Sequence, residues 1–225
     1  MKIALLTVAT TLPYRDYARN LRKSALRFFS QADFILFSDH ESNPGVEKWF
    51  YTEPKGHPLE TLYRYHTILK KKEELSEYDQ VFWVDADMEF VAPPGDIFSD
   101  GITATLHPGY VGQKGTPELR PQSSAYCPDA EQYFCGGFIG GFQPAFLHMA
   151  SFIRDGVDKD RDNDIVAIWH DESHEQKYLA LFPPKKILSP SYCYPENYSG
   201  QYNWPEAYEP ILLCLTKPKS VRGDR

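Results

Sequence analysis

Apolar residues first gather in the run Ile3-Ala4-Leu5-Leu6, closed by Thr7-Val8. A short run with no polar alternation predicts a strand buried on both faces. The period then changes: Asp16–Ser30 places Leu21, Ala25, Phe28 and Phe29 on one helical face. Phe34–Phe37 predicts a second strand that ends at Ser38-Asp39. Leu59–Leu75 reads as a helix with Leu62, Tyr65, Leu69 and Leu75 inward and Lys70-Lys71-Lys72 solvated, and Val81–Val84 as a third strand. This βαβαβ order predicts a parallel sheet with right-handed crossovers.

The second half is less regular and richer in aromatic residues and proline. Thr103–Leu106 predicts a strand, followed by a long Pro-, Gly- and Gln-containing segment through Pro128. Gln143–Asp155 puts Phe146, Ala150 and Ile153 on one helical face, and Ser173–Phe182 predicts a further helix stopped by Pro183-Pro184. No internal repeat or low-complexity tract interrupts the pattern. At 225 residues the chain forms one large domain or two closely packed halves, burying about 70–75% of its unfolded surface.

A formal net charge of −7 argues against nucleic acid or an anionic membrane as partner. No apolar run reaches the ~18 residues of a membrane span, and the amino terminus reads as the first strand rather than a signal sequence. Cys127, Cys135, Cys193 and Cys214 lack zinc-type pair spacing and are too few for a disulfide framework, so a cytosolic location is expected. The last nine residues, Lys217 to Arg225, form a basic tail on an acidic chain.

Candidate chemistry centres on Phe82-Trp83-Val84-Asp85-Ala86-Asp87, an apolar strand ending in two carboxylates. Strand alternation would point Asp85 and Asp87 to one side, roughly 6.5–7 Å apart, facing the crevice at a strand's carboxyl end. A divalent cation with a nucleotide diphosphate would relieve their repulsion, and oxygen ligands suit Mg²⁺ or Mn²⁺. The plainer alternative is one solvated loop acid beside a helix cap.

Gly136-Gly137-Phe138-Ile139-Gly140-Gly141 fits neither GxGxxG nor a P-loop; it marks either close backbone approach to a ligand or segment, or packing alone. Trp169-His170-Asp171-Glu172-Ser173-His174 has the His spacing of a HExxH helix with its acid misplaced, which disfavours zinc. An indole beside carboxylates suits a sugar better, the ring face stacking while the acids take hydroxyls. His107, after a strand, could reach the cleft, although a lone His is more often structural. Arg222-Gly223-Asp224 is adequately explained by chance.

Six stretches, VDADMEF (84–90), TLHPGY (105–110), ELRPQSSAY (118–126), GGFIGG (136–141), WHDESHEQKYL (169–179) and LSPSYCY (188–194), together and in order resemble glycosyltransferase family 6, and the resemblance is expected to extend over nearly the whole chain after residue 5. The resemblance implies a GT-A fold: an α/β domain with a mostly parallel central sheet, a nucleotide-binding half (about 1–90) and a less regular acceptor-binding half (about 91–225). It implies transfer of galactose or N-acetylgalactosamine from a UDP-sugar to a galactose-terminated acceptor, with the α configuration retained and Mn²⁺ or Mg²⁺ as cofactor.

By the same resemblance Asp85 and Asp87 bind metal. Tyr14 contacts uridine and Arg64 the donor, Lys219 and Arg222 close over the diphosphate, and Asp171 holds the donor sugar. His107, Thr116 and Trp169 bind acceptor, and Glu172 is the nucleophile or charge-stabilising carboxylate, also at the acceptor. Gly137 sits where glycine favours N-acetylgalactosamine, with Gly136 and Cys135 beside it in the donor pocket, so UDP-N-acetylgalactosamine is the expected donor.

Three departures from the family stand out. The membrane anchor and stem of the animal enzymes are absent, implying a soluble bacterial- or phage-type member. Both DxD carboxylates are kept where many bacterial relatives carry NxN. An acceptor-binding Asp is missing near Tyr194-Pro195-Glu196, where Glu196 substitutes only with a one-residue shift. The alternatives are a galactosyltransferase with the same machinery, a carbohydrate-binding protein without turnover, and a metal-dependent hydrolase. Acceptors with and without fucose are both open.

Overall fold

The computed structural model describes residues 1–40 and 46–218. In chain order, β1 (Ile3–Val8), α1 (Leu12–Phe28), β2 (Ala32–Ser38) and β3 (Lys48–Tyr51) come first. Three short helices follow, α2 (Leu59–Leu62), α3 (Arg64–Leu69) and α4 (Lys72–Leu75), then β4 (Gln80–Val84), β5 (Met88–Phe90) and β6 (Ile102–Leu106). The rest comprises β7 (Phe134–Phe142), α5 (Gln143–Asp162), α6 (His170–Leu181), β8 (Lys186–Leu188), β9 (Tyr194–Pro195) and β10 (Leu212–Cys214).

Seven strands form one sheet in the order β3-β2-β1-β4-β7-β6-β8, and β5-β10-β9 form a smaller one. Every neighbouring pair in the large sheet is parallel except those of β7, which runs against both β4 and β6. The continuous apolar runs read from the sequence feed two cores, alternate residues going to opposite faces. Ile3, Leu5, Phe34, Leu36, Phe82 and Val84 pack with Leu21 and Ala25 of α1. Ala4, Leu6, Ile35, Phe37, Val81 and Trp83 pack with α3 and with Phe146, Ala150 and Ile153 of α5. A sheet covered on both faces explains why its strands are continuously hydrophobic.

Several expected boundaries move. The predicted helix over 59–75 is broken at Tyr63 and Lys71, whose ψ angles of 13° and 24° leave the helical range. The break goes with Arg64, drawn inward to carboxylates of other elements. The helix begun at Gln143 runs on to Asp162, and the last one starts at His170 rather than Ser173.

The glycine-rich hexad is no loop: it lies within β7. A Cβ on Gly140 would collide with Val81 O, and one on Gly141, at φ 126°, with Gly101 O, so close backbone approach is the reason for these two glycines. Among the described residues no helix is long and apolar enough to cross a membrane.

Phe82 is fully buried between two phenylalanine rings, stacked on Phe138 at 5.5 Å and edge-on to Phe98 at 6.3 Å. Phe82→Ala should therefore lower stability by about 3–5 kcal/mol, read as a drop in the urea midpoint. Ile187→Ala, at an exposed position of β8, should stay within about 0.5 kcal/mol of wild type.

Candidate functional site

The chain turns from β1 to β2 on one side and returns to β4 on the other, and a crevice opens at the carboxyl ends of β1 and β4. This is the switch point where open α/β sheets hold ligands. The cavity there is about 830 Å³ and is lined by Val8, Tyr14, Arg64, Asp85, Asp87 and Lys217. A smaller chamber of about 220 Å³ shares Arg64 and both aspartates and adds Gly136, Gly137, Asp171 and Glu172.

β4 ends at Val84, so Asp85-Ala86-Asp87 is a turn rather than an extended strand, closed by Met88 N–H donating to Asp85 O at 3.1 Å. The strand-alternation argument for one shared side is thus replaced: the turn itself brings both carboxylates to the crevice. Asp85 Oδ1 accepts from Trp83 Nε1 at 2.8 Å and lies 3.4 Å from Arg64 Nη2. Asp87 Oδ2 pairs with Lys217 Nζ at 2.7 Å. Burial, then the Asp85 charge, pushes the Asp87 carboxyl up, and Lys217 opposes both.

Arg64 organises the floor. It is 5% exposed and pairs with Asp171 at 2.8 Å and Glu175 at 3.7 Å, while Nη1 donates to Gly136 O at 2.8 Å. Its guanidinium lies over the Trp83 ring, 4.3 Å from the centroid, a cation–π contact. Burial works against this charge, yet Asp171, Asp85 and Glu175 outweigh it and hold the guanidinium protonated. Burial likewise drives the Asp171 and Glu175 carboxyls upward, with Arg64 pulling each back. Tyr65 O–H donates to Glu175 Oε1 at 2.6 Å. The expected donor-contacting arginine therefore lines the crevice with its charge already engaged by protein carboxylates.

Glu172 faces the chamber beside this cluster. Its Oε1 accepts from Tyr133 O–H at 2.9 Å and its Oε2 from Gly136 N–H at 3.0 Å. Desolvation dominates these bonds and pushes the carboxyl up to about 7. Gly136 is needed here because a Cβ would stand 2.8 Å from Glu175 Oε2 and 3.4 Å from Glu172 Oε2. At Gly137 a Cβ would meet Met88 Cε at 2.6 Å, Cys135 Sγ at 3.4 Å and Asp85 Oδ2 at 3.5 Å.

Around the chamber mouth, Trp169 Nε1 donates to Thr116 Oγ1 at 2.8 Å. His107 packs against Tyr110 and Tyr133, and its Nδ1 accepts from Gly109 N–H at 3.1 Å. Burial lowers this imidazole to about 4, so it is neutral. His170 and His174 do not share a site. His170 lines the crevice edge-on to His57, whereas His174 is buried with Nε2 3.6 Å from Asp160 Oδ2. Among the described residues no group of three His, Cys, Asp or Glu side chains could hold a metal ion alone.

The site thus assembles Tyr14, Arg64, Asp85, Asp87, Cys135, Gly136, Gly137, Trp169, Asp171 and Glu172, with His107 and Thr116 at its edge through Tyr133 and Trp169. Glu196 is exposed and accepts from Thr216 N–H at 2.7 Å, at the start of the carboxyl-terminal stretch. Lys219 and Arg222 lie outside the described residues. Tyr65, Trp83, Tyr133, Glu175 and Lys217 carry contacts the sequence reading did not assign. Glu175 alone had a signal, since it falls one helical turn beyond Glu172. The absence of a disulfide framework needs one amendment: Cys135 and Cys193, 58 residues apart, are bonded to each other. Only the tertiary fold brings them together, so spacing could not reveal the pair.

Fold and crevice together define an open α/β domain whose binding site lies at the carboxyl ends of parallel strands. The chain belongs to glycosyltransferase family 6, whose profile matches residues 61–211, and its mostly parallel sheet flanked by helices is consistent with a GT-A-like fold. It is 37% identical over 154 residues to histo-blood group ABO system transferase 1 of Rattus norvegicus, a match covering 66% of this chain and 43% of that protein. Globoside alpha-1,3-N-acetylgalactosaminyltransferase 1 of Mus musculus is 33% identical over 143 residues, 60% of this chain and 41% of its own length. Alpha-1,3-galactosyltransferase 2 of Homo sapiens is 40% identical over 56 residues, 25% of this chain and 16% of its own. The chain spans under half the length of these relatives.

Arg64→Ala would leave Asp171 and Glu175 buried, 2% and 1% exposed, without their counter-charge. A loss of about 3–5 kcal/mol is expected, measured by chemical denaturation at neutral pH.

Proposed function

We propose that the chain is a retaining α-1,3-glycosyltransferase that moves N-acetylgalactosamine from its UDP conjugate to a β-galactoside, with or without fucose. One observation carries this reading: Asp85 and Asp87 open onto the same chamber as Asp171, Glu172 and the Gly136-Gly137 wall. The names of the relatives agree, since they describe alpha-1,3-N-acetylgalactosaminyl and alpha-1,3-galactosyl transfer.

In this reading the uridine lies between Val8 and Tyr14, and the diphosphate lies beside Asp85, Asp87 and Lys217. The pair also fits a hard divalent cation, Mn²⁺ or Mg²⁺. Asp87 already supports a positive charge at 2.7 Å, and one or two carboxylates completed by phosphate oxygens is a usual Mg²⁺ arrangement. Bound there, the ion would neutralise the leaving diphosphate, a stabilisation of several kcal/mol. Lys219 and Arg222 are assigned to the same diphosphate, closing over it and excluding water.

Asp171, fixed by Arg64, takes the donor sugar's hydroxyls. Trp169, Thr116 and His107 take the acceptor, the neutral imidazole serving as a hydrogen-bond partner. Glu172 faces the sugar as nucleophile or as a charge that stabilises an oxocarbenium-like centre. Its raised pKa means the carboxylate form needed for either role becomes dominant only as pH rises through about 7. The proposed location is the cytosol; the Cys135–Cys193 bond is the one feature that argues for an oxidising surrounding instead.

The galactose donor is favoured by one specific contact. Met88 Cε already stands 2.6 Å from the Cβ position of Gly137, taking up room that an acetamido group would use. Comparing turnover of UDP-N-acetylgalactosamine and UDP-galactose decides between them. Under the leading reading Gly137→Ala shifts the ratio toward galactose and Met88→Ala toward N-acetylgalactosamine; a ratio indifferent to both substitutions refutes the steric account.

The activity itself is tested by UDP release with either donor plus a galactose-terminated acceptor. Release should depend on added Mn²⁺ and stop with chelator. Asp85→Ala with Asp87→Ala should cut turnover roughly a thousandfold, the equivalent of about 4 kcal/mol. Sugar binding without release would point to a carbohydrate-binding protein.

A further inference from the structure

Three sulfurs meet on the wall of the smaller chamber. Cys135 of β7 is bonded to Cys193, with Cα atoms 7.0 Å apart, and the free thiol of Cys214 in β10 lies 3.3 Å from Cys193 Sγ. All three line the chamber together with Gly136, Gly137 and Glu172. The fourth cysteine, Cys127, is buried elsewhere, its thiol 4.0 Å from Gln176 O. Cys193 therefore has two sulfur neighbours and a single bond to share between them.

We propose that Cys135, Cys193 and Cys214 form a thiol–disulfide exchange site that reshapes the sugar chamber. In the exchange Cys214 sulfur bonds to Cys193 sulfur and the Cys135–Cys193 bond breaks. The electron pair of the broken bond leaves on Cys135, which takes up the proton given up by Cys214. Atoms and electrons balance within the chain, with no outside oxidant or reductant.

The two isomers constrain different elements. With Cys135 bonded, β7 is tied to the turn at 190–193, and its sulfur is held beside Gly137, whose N–H points at it from 3.3 Å. With Cys214 bonded, β10 is tied to that turn instead, and a free Cys135 thiol is left against the wall of the chamber. β10 leads directly to Leu215, whose N–H donates to Asp87 O at 2.9 Å, and to Lys217 on the Asp87 carboxylate. The exchange thus joins the sugar end of the crevice to the acidic turn. Its effect on donor choice rests on the transferase reading above; the exchange itself does not.

The test maps linkages in the whole chain equilibrated in glutathione redox buffers, alkylated and digested without reduction. Wild type should yield both Cys135–Cys193 and Cys193–Cys214 peptides. Cys214→Ser should yield only the first, Cys135→Ser only the second, and Cys193→Ser neither. Wild type and Cys135→Ser lacking any Cys193–Cys214 peptide across the buffer series would overturn the proposal. In parallel, the turnover ratio of the two UDP-sugars should differ severalfold between Cys214→Ser, held with Cys135–Cys193 bonded, and Cys135→Ser, held with Cys193–Cys214 bonded. Both linkages with an unchanged ratio would overturn the coupling to the chamber. If no donor turns over in any buffer, the transferase reading fails while the linkage map still decides the exchange.

Discussion

One buried positive charge holds the site together. Arg64 sits among Asp171, Glu175 and Asp85, and its remaining donor reaches the backbone of Gly136. Removing such a charge from water costs several kcal/mol, which only close opposite charges and full hydrogen bonding can offset. Its partners lie on three segments besides its own α3: the turn after β4, α6, which supplies both Asp171 and Glu175, and β7. The guanidinium therefore fixes the relative position of four pieces of chain at once.

Much else follows from that demand. The stretch around Arg64 gives up continuous helical geometry at Tyr63 and Lys71. β7 must carry a glycine at 136, because two glutamate carboxylates crowd the space a side chain would fill. Glu172 escapes the arginine and binds Tyr133 and a backbone N–H instead. Of the carboxyls at this floor it is the one without a direct ion pair, and desolvation keeps it close to neutral pH in its titration. Three carboxyl groups whose proton affinity burial raises thus lie within two turns of one helix.

The parallel sheet and most of its strands were legible in the sequence because a two-sided strand leaves an unbroken apolar run, as Ile3–Leu6 and Val81–Val84 do. Asp85, Asp87 and Glu172 stood out in the sequence as candidates beside plainer readings as loop and capping acids, and the fold brings all three to one chamber. What escaped was long-range. Tyr65 reads as an inward aromatic on a helix, and only the fold shows its hydroxyl on Glu175, 110 residues away. Lys217 reads as one charge in a basic tail until β10 delivers it to Asp87. The hexad over 136–141 has the composition of a loop. Its placement within an antiparallel strand depends on β4 and β6 flanking it so closely that Cβ atoms cannot enter. Helix limits moved for a similar reason, since capping by tertiary contacts leaves no local mark.

The Lys217–Asp87 pair has a consequence for anything that visits the crevice. Any cation drawn to the Asp87 carboxylate would have to compete with that ammonium, 2.7 Å away. The carboxyl-terminal stretch up to Lys217 is thereby moored to the rim of the crevice by a charge of its own.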